Sequence, residues 1–324
     1  MFLSEKVILL TGGTGSFGQK FTEIVLREQN PKTLRIFSRG ELLQYQMRLK
    51  FNDDERLRFF IGDVRDRERL YRAMNGVDVV VHAAALKQVP TAEYNPIEAV
   101  RTNIDGAINV IDASIDNGVQ KIIAISTDKA VHPVNLYGAT KLVMERLFIQ
   151  ANVYTGAHKS RFSCVRYGNV VGSRGSVVPL FKEQKKNGII TITDENMTRF
   201  WITLEQGVRF VLDCIGRMHG GEVFVPKIPS MKITDLADVI APGAEKRTVG
   251  IRPGEKLHEV LLTEEEARHA RELNSFFVIE PEHPFWSAAH IRGGRPLSEG
   301  FRYTSDSNSR WLTKKELAQM VKEC

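Results

Sequence analysis

The fold is decided by the stretch Thr11-Gly12-Gly13-Thr14-Gly15-Ser16-Phe17-Gly18, which joins an apolar run at 6–11 to a segment with helical spacing over 17–29. Its glycines at 12, 15 and 18 permit a tight turn, close approach of a pyrophosphate to the backbone, and close helix–strand packing. The free N–H groups of the following helix would face the phosphates. The loop therefore predicts a Rossmann fold that binds a nicotinamide dinucleotide. The contact residues expected in it are Gly12, Thr14, Gly15, Ser16, Phe17 and Gly18.

Further short apolar runs predict the other strands, at 33–38, 57–62, 77–82, 121–126 and 161–167. Helical patterns lie between most of them, and this alternation predicts an α/β fold with a doubly wound parallel sheet. Beyond residue 168 the regularity falls while glycine, proline and charge increase. Residues 1–168 are therefore expected to form the cofactor-binding domain, with a helix near 204–218 returning to it. Residues 169–324 are expected to form mainly a smaller α/β substrate-binding lobe and a C-terminal tail, with 170–197 and 222–275 in the lobe.

Composition excludes several other classes of protein. The net charge of +6 is spread over 324 residues without a basic run containing aromatics, which argues against nucleic-acid binding. The sequence has no apolar run near the 18 residues of a membrane span and no signal-peptide pattern at its start. Three scattered cysteines are too few for a disulfide framework or a metal site. We expect a reduced, cytoplasmic protein without a metal ion.

The end of the second strand bears on the choice of cofactor. NAD sites usually carry Asp or Glu there, whereas this chain has Ser38-Arg39-Gly40-Glu41. The guanidinium of Arg39 suits a 2′-phosphate, so NADP is favoured over NAD. The remaining cofactor contacts are expected after the next two strands: Asp63 and Val64 at the adenine, and the small Ala83 and Ala85 where the cofactor passes the backbone. Ser38, Arg39 and Glu41 complete this set.

The fifth strand ends in Ser126-Thr127-Asp128-Lys129, followed by Tyr137-Gly138-Ala139-Thr140-Lys141. Tyr137 and Lys141 are four residues apart and would share one face of a helix. The ammonium of Lys141 is expected to lower the pKa of Tyr137 and to hold the nicotinamide ribose. A phenol placed in this way can take the proton of a sugar hydroxyl while the carbon passes hydride to a nicotinamide.

This arrangement resembles the extended short-chain dehydrogenase/reductase family. Within it, the chain is similar over nearly its full length to the inverting UDP-N-acetylglucosamine 4,6-dehydratases of pseudaminic acid biosynthesis. Besides the loop at 11–18, the similarity is carried by Ile-Gly-Asp-Val-Arg-Asp (61–66), His-Ala-Ala-Ala-Leu-Lys (82–87), Ala-Glu-Tyr-Asn-Pro (92–96), Ser-Thr-Asp-Lys-Ala (126–130), Asn-Leu-Tyr-Gly-Ala-Thr-Lys (135–141), Arg-Tyr-Gly-Asn-Val-Val-Gly-Ser-Arg-Gly-Ser-Val (166–177), Met-Thr-Arg-Phe-Trp-Ile (197–202), Pro-Lys-Ile-Pro-Ser-Met-Lys (226–232) and Arg-Pro-Gly-Glu-Lys-Leu-His-Glu (252–259).

The resemblance implies a reaction on UDP-N-acetylglucosamine that gives UDP-2-acetamido-2,6-dideoxy-β-L-arabino-hexos-4-ulose. Ordinary sugar-nucleotide 4,6-dehydratases carry Thr-Asp-Glu where this chain has Thr127-Asp128-Lys129. Tyr137 would take the C4 hydroxyl proton, and a protonated Asp128 would donate to the C6 hydroxyl as it leaves. Lys129 would abstract the C5 proton if Lys141 or burial lowers its pKa.

The resemblance also implies further contacts and an assembly. Val170 joins the cofactor-binding residues, and the chain is expected to form a homo-oligomer, either a dimer or a hexamer. The substrate-binding positions implied are Lys87, Asn169, Arg199, Arg252 and Glu255.

Some alternatives remain open on the sequence. Gly40 and Leu43 stand where the family often has Asp and Lys, and the loss of that lysine weakens the preference for NADP over NAD. Related activities on the same substrate are a C5-retaining dehydratase, a C5-epimerase and a 4-epimerase. A 4-epimerase needs no Asp–Lys elimination pair. A non-catalytic NADP-binding regulator should have lost Tyr137, Lys141 or Lys129, and all three are present.

Overall fold

The computed structural model describes residues 2–156, 159–172, 177–282 and 293–322. Residues 173–176 of the motif at 166–177 and residues 283–292 of the tail lie outside these ranges. The strands are Val7–Thr11 (β1), Thr33–Ser38 (β2), Leu57–Ile61 (β3), Val79–His82 (β4), Lys121–Thr127 (β5), Arg161–Tyr167 (β6), Asn169–Val170 (β7), Ile189–Ile192 (β8), Thr198–Ile202 (β9), Val223–Pro226 (β10), Ser230–Lys232 (β11), Glu245–Thr248 (β12), Val260–Leu262 (β13), Ala270–Glu272 (β14), Phe276–Ile279 (β15), Arg295–Pro296 (β16) and Tyr303–Thr304 (β17).

The helices follow the strands in alternation through the first half of the chain. They are Ser16–Glu28 (α1), Glu41–Lys50 (α2), Arg67–Met74 (α3), Val89–Tyr94 (α4), Pro96–Val100 (α5), Gly106–Asp116 (α6), Leu136–Ala151 (α7), Val177–Gln184 (α8), Leu204–Arg217 (α9), Ile233–Ile240 (α10), Glu264–Ala267 (α11) and Lys314–Lys322 (α12). A π-helical turn at Arg101–Asp105 joins α5 to α6. Within the described ranges, none of the helices has both the length and the apolar character needed to cross a bilayer.

The main sheet has the strand order β3-β2-β1-β4-β5-β6-β10, and these strands run parallel. The order reverses between β1 and β4, which is the topological switch point where doubly wound sheets bind ligands at the carboxyl ends of their strands. The central strands are apolar throughout, as strands covered on both faces must be; β4 is buried along its whole length. The predicted fold class is confirmed.

The second half of the chain also builds this sheet. β10 pairs with β6, and β15 and β14 extend the sheet antiparallel beyond it. The placement of all of 222–275 in a smaller lobe is therefore wrong. The strands β10, β14 and β15 bury their apolar residues in the same core as β1 and β5, and pairing with β6 satisfies backbone groups that would otherwise form an open edge.

The helix expected near 204–218 is α9, which returns to the first half of the chain by packing against α1. Thr203 and Gln206 form a capping box at its start, which satisfies two backbone N–H groups. On its outer side, Arg209 forms an ion pair with Glu28 of α1.

The smaller lobe has its own core, centred on Phe181, Trp201 and Met231. Its strands form a three-stranded sheet, β11-β9-β7, and a pair, β12-β8. Since β7 directly follows β6 of the main sheet, the lobe is anchored close to the carboxyl edge where β5 and β6 end.

A buried ion-pair triad ties three parts of this architecture together. Arg166 on β6 donates two hydrogen bonds to Glu145 of α7 and two to Glu266 of α11. Arg166 is 2% exposed. Although burial raises the pKa of Glu266, the guanidinium lowers it below its ordinary value.

Arg166→Met should reduce the free energy of unfolding by about 3–5 kcal/mol at neutral pH, because two buried carboxylates lose their counterion. The wild-type Glu266 carboxylate stabilises the fold above its unfolded pKa and loses that contribution as pH falls. The difference in the free energy of unfolding between wild type and Arg166→Met should therefore become smaller at acid pH. Urea unfolding across pH measures it. Arg209→Met, which breaks an exposed pair, is the control and should cost far less. A pH-independent difference would contradict this account.

Candidate active site

The glycine loop lies at the switch point, pressed against the segment that follows β4. Gly12 has φ +66°, and a Cβ there would lie 2.9 Å from the backbone of Ala84. Thr11 links the two segments, since its hydroxyl accepts from the N–H groups of Ala83 (3.2 Å) and Ala84 (3.3 Å). Its Oγ1 also lies 2.9 Å from Nδ1 of the buried His82. The ends of β1 and β4 are therefore held together by hydrogen bonds.

The start of α1 has the character of a phosphate site. Its N-cap is Gly15, which has no side chain to satisfy the N–H groups of the first turn. Those groups and the positive end of the helix dipole are suited to an anionic ligand. The loop therefore fits the pyrophosphate of a dinucleotide.

The ends of β2 and β3 lie next to the glycine loop and form, with it, a crevice at the carboxyl edge of the sheet. The Gln44 amide of α2 donates to the carbonyls of Ser38 and Phe60 and so fixes both strand ends. Arg39 is exposed, with Nη1 3.7 Å from Oδ2 of Asp63. Asp63 also accepts from Arg65; burial raises the pKa of Asp63, but these bonds keep it below its ordinary value. The guanidinium of Arg39 is thus available in solvent at the expected place.

A second cluster lies where β5 ends. Lys129 Nζ lies between two buried carboxyls, 3.1 Å from Asp128 Oδ1 and 3.3 Å from Glu259 Oε1. Asp128 and Glu259 are 0% and 2% exposed. The Thr127 hydroxyl donates to the same Asp128 oxygen at 2.9 Å. Asp128 Oδ2 and Glu259 Oε2 are buried with no hydrogen-bond partner among the described residues.

The pKa of Lys129 differs from the expectation. Burial lowers the pKa of Lys129, but the carboxylates of Asp128 and Glu259 outweigh burial and raise it. The expected lowering by Lys141 or by burial is wrong for this structure, because two nearby negative charges stabilise the ammonium. Asp128 fits its expectation: burial and the neighbouring Glu259 raise the pKa of its carboxyl.

Tyr137 and Lys141 lie on α7, both buried. Burial raises the pKa of Tyr137 to about 12, and the groups that oppose this rise are Lys129 and the Thr127 hydroxyl. The expectation that Lys141 lowers the tyrosine pKa is therefore wrong here. Lys141 Nζ instead donates to the Ile125 carbonyl at 2.6 Å, and burial lowers its own pKa to about 8.

The start of α7 is pressed against the turn that carries Lys129. A Cβ on Gly138 would lie 2.1 Å from the Lys129 carbonyl oxygen, so only glycine allows this approach. Asn135 caps the helix by accepting from the Gly138 N–H, and its amide donates to the Gly254 carbonyl at 2.7 Å. The predicted Tyr-x-x-x-Lys helix is thereby held against both the turn at Asp128–Ala130 and the loop around Gly254.

Of the predicted substrate residues, Lys87 and Arg199 lie near this cluster. Lys87 lies after β4, where partial burial and the charge of Lys129 lower its pKa. Asn169 on β7 pairs in register with Trp201 of β9, and its buried Oδ1 has no hydrogen-bond partner in the described ranges. Arg252 and Glu255 lie in the loop that Asn135 holds through Gly254.

Arg199 is one of the implied substrate-binding residues, but its guanidinium points toward groups inside the protein. It is buried and donates to the Thr198 and Leu257 carbonyls, with Nε 3.7 Å from Glu259 Oε1. The structure therefore gives Arg199 a carboxylate partner inside the protein.

Two residues of the site were missed by sequence reasoning. Asn103 in the π-helical turn exchanges hydrogen bonds with the backbone of Leu86 and donates to Thr140, so it fixes the loop that carries Lys87. Glu259 stands within the motif at 252–259, but it was assigned no role. A local signal was weak for both, because a single polar residue in an apolar or charged segment is ordinary on a surface.

The described residues contain no group of three or more His, Cys, Asp or Glu placed to hold a metal ion.

Fold and site together define an extended short-chain dehydrogenase/reductase. More particularly, the chain belongs to the polysaccharide biosynthesis protein family, whose model matches residues 8–281. It is 52% identical over 327 residues to the inverting UDP-N-acetylglucosamine 4,6-dehydratase of Campylobacter jejuni subsp. jejuni, covering 98% of each chain. This confirms the resemblance drawn from the motifs.

Two further proteins match most or all of the chain. The chain is 44% identical over 283 residues to a UDP-glucose 4-epimerase of Rickettsia conorii, covering 85% of this chain and 83% of that one. The solved structure of Pen from Bacillus thuringiensis matches with a TM-score of 0.90 and 39% identity over 100% of both chains.

Gly138→Ala should reduce the free energy of unfolding by about 1–3 kcal/mol, because the added methyl overlaps the Lys129 carbonyl. Gly207→Ala in α9 is the matched control, since its nearest neighbour is Tyr167 at 3.8 Å. There the gain in helix propensity should stabilise the protein by about 0.5–1 kcal/mol. Urea unfolding of both variants measures the difference, and equal effects would show that α7 is not packed as described.

Proposed function

We propose that this protein is an inverting UDP-N-acetylglucosamine 4,6-dehydratase that yields UDP-2-acetamido-2,6-dideoxy-β-L-arabino-hexos-4-ulose. The observation that carries the proposal is the pair of a fully buried Asp128 and a partly buried Lys129 beside Tyr137. An elimination of water between C5 and C6 needs a base and an acid together, and oxidation at C4 needs a phenol beside a nicotinamide. The relation to the Campylobacter jejuni enzyme supports the same reaction.

Each side chain has a step that its surroundings favour. The residues of the glycine loop would hold NADP⁺, which when bound would supply the hydride chemistry between C4 and C6. Tyr137 takes the C4 hydroxyl proton, Lys129 as the free amine takes the proton at C5, and Asp128 as the neutral acid protonates the C6 hydroxyl, which leaves as water. When hydride arrives at C6, a proton returns to C5 from the opposite face, which inverts C5 and restores the 4-ketone. The 3.1 Å hydrogen bond from Lys129 to Asp128 supplies both forms, because moving one proton along it gives the amine and the acid together. The high pKa of each partner favours sharing this proton over losing it to solvent.

The residues proposed to bind the nucleotide sugar are grouped around this pair. Four cations lie close to two carboxyls there, which leaves positive charge for a diphosphate. The cations are Lys87, Lys129, Arg199 and Lys256. Lys87, Asn169, Arg199, Arg252 and Glu255 remain the proposed substrate-binding residues, and residues 169–324 mainly supply their lobe.

A 4-epimerase is the second candidate, since relatives with that activity match most of the chain. It would use Tyr137 and the cofactor but would have no step for Asp128 and Lys129. The hydrogen bond from Lys129 to the fully buried Asp128 favours the dehydratase, because a buried carboxyl with one unpaired oxygen is costly unless it is used.

We further propose NADP as the cofactor, bound by the residues of the glycine loop, by Ser38, Arg39 and Glu41, by Asp63, Val64, Ala83 and Ala85, and by Tyr137, Lys141 and Val170. The product would enter pseudaminic acid biosynthesis in the cytoplasm. Assembly into a dimer or a hexamer is supported by the exposed apolar Tyr94 and Ile97, which are 87% and 62% accessible on α4 and α5.

Incubation with UDP-N-acetylglucosamine in D₂O, followed by NMR, should give a 4-keto, 6-deoxy product with deuterium at C5 and the L configuration. Lys129→Ala should retain the bound cofactor and lose at least about 100-fold in product formation, because the C5 base is gone. Lys186→Ala, at an exposed pair with Glu183, is the control and should match wild type. A product that keeps its C6 hydroxyl, or an undiminished rate in Lys129→Ala, would overturn the proposal.

Arg39→Ala should weaken NADP binding about tenfold while leaving NAD binding nearly unchanged, because only NADP carries the 2′-phosphate. Titration of the protein with each cofactor, followed by calorimetry, measures both constants. Arg27→Ala in α1, which has no place in the crevice, serves as the control for removing an exposed arginine. An equal loss for both cofactors would show that Arg39 does not discriminate between them.

A further inference from the structure

Glu259 is the group in the cluster that has no step in the proposed reaction. Its carboxylate faces three cations: Oε1 lies 3.3 Å from Lys129 Nζ and 3.7 Å from Arg199 Nε, and Oε2 lies 3.8 Å from Lys256 Nζ. It is 2% exposed, and a buried carboxylate persists only where cations compensate the lost hydration. Its negative charge is therefore held next to Lys129 by these cations.

The backbone of Glu259 is held on both sides. Its N–H donates to Ser305 Oγ at 2.9 Å, and the Ser305 N–H donates back to its carbonyl at 2.8 Å. Ser305 Oγ in turn lies 2.7 Å from Thr198 Oγ1, next to Arg199. These bonds join β9, the start of β13 and the end of β17, so the carboxylate is placed by rigid elements.

We propose that Glu259 is a positioning residue that remains ionised, holds Lys129 Nζ against Asp128, and sets the pH range in which that pair shares one proton. This inference rests on the proposed function for its kinetic test. Lys129 Nζ donates to both carboxyls at once. Glu259, which is not protonated during the reaction, therefore holds the amine in place for Asp128, which is.

The charges around the pair agree with this division of roles. Burial and Glu259 together raise the pKa of Asp128. Burial raises the pKa of Glu259, but Lys129, Arg199 and Lys256 outweigh it and lower that pKa. Of the two carboxyls, Asp128 is therefore the one that takes the shared proton. The charged and titratable groups that face Lys129 are Asp128, Glu259, Arg199, Lys87, Lys256 and Tyr137.

The variant Glu259→Gln tests the proposal, because it removes the charge and keeps an acceptor for Lys129. The negative charge raises the pKa of both Lys129 and Asp128, so its loss should lower both values. The bell-shaped profile of kcat against pH should then move to lower pH by about one unit on both limbs. Glu259→Asp keeps the charge and should restore the position of the profile.

A second measurement does not depend on the substrate. Lys129 is 25% exposed at its side chain, so acetic anhydride can acylate its free amine, and peptide mass spectrometry can follow the reaction across pH. The midpoint for Lys129 should lie about one unit lower in Glu259→Gln than in wild type. If wild type does not convert UDP-N-acetylglucosamine, the proposed function fails, and this midpoint still decides the role of Glu259.

Glu266→Gln is the matched control, since it removes another buried carboxylate while glutamine can keep the capping box with Thr263. It should lower stability without moving the Lys129 midpoint or the kcat profile. An unshifted midpoint in Glu259→Gln would overturn the inference, as would an equal shift in Glu266→Gln.

Discussion

The Lys129 ammonium, held between two buried carboxyls, is the interaction on which the rest of the site depends. Removing a charged group from water is costly, and both carboxyls are tolerated because the Lys129 ammonium lies within hydrogen-bonding distance of each. Asp128 comes from the end of β5 and Glu259 from the segment before β13. The ion pair therefore requires the two halves of the chain to meet at the carboxyl edge of the sheet.

The surrounding packing serves to keep that meeting point rigid. α7 can approach the Lys129 backbone only because residue 138 is glycine, and Asn135 joins the same helix to the loop at Gly254. Further along α7, Glu145 shares Arg166 with α11, which follows β13 directly. A second ion-pair cluster outside the site thus joins α7 to α11 through β6.

Sequence reasoning predicted the fold, and the helix that carries Tyr137 and Lys141, because both are encoded locally. The strands β2 and β6 begin and end where their apolar runs do, and Tyr137 and Lys141 share a helix face because they are four residues apart. The strands β10 and β14 were misplaced because β10 joins the main sheet through β6, and β14 joins it through β15 and β10, and these pairings link segments distant in sequence. The protonation of Lys129 was mistaken for the same reason: its second carboxylate is 130 residues away.

The identity of residue 129 and the charge of Glu259 are linked by electrostatics. A glutamate at 129, as in the Thr-Asp-Glu pattern, would place a third carboxyl beside Asp128 and Glu259 in a site from which most water is excluded. Like charges this close cannot all ionise, so the pKa of at least one would rise steeply. A lysine turns the same position into an attraction, and its ammonium opposes the rise that burial and Glu259 cause in the pKa of Asp128. Glu259 therefore fits an enzyme whose base is an amine, and a change of residue 129 to a carboxylate would require a change at 259 as well.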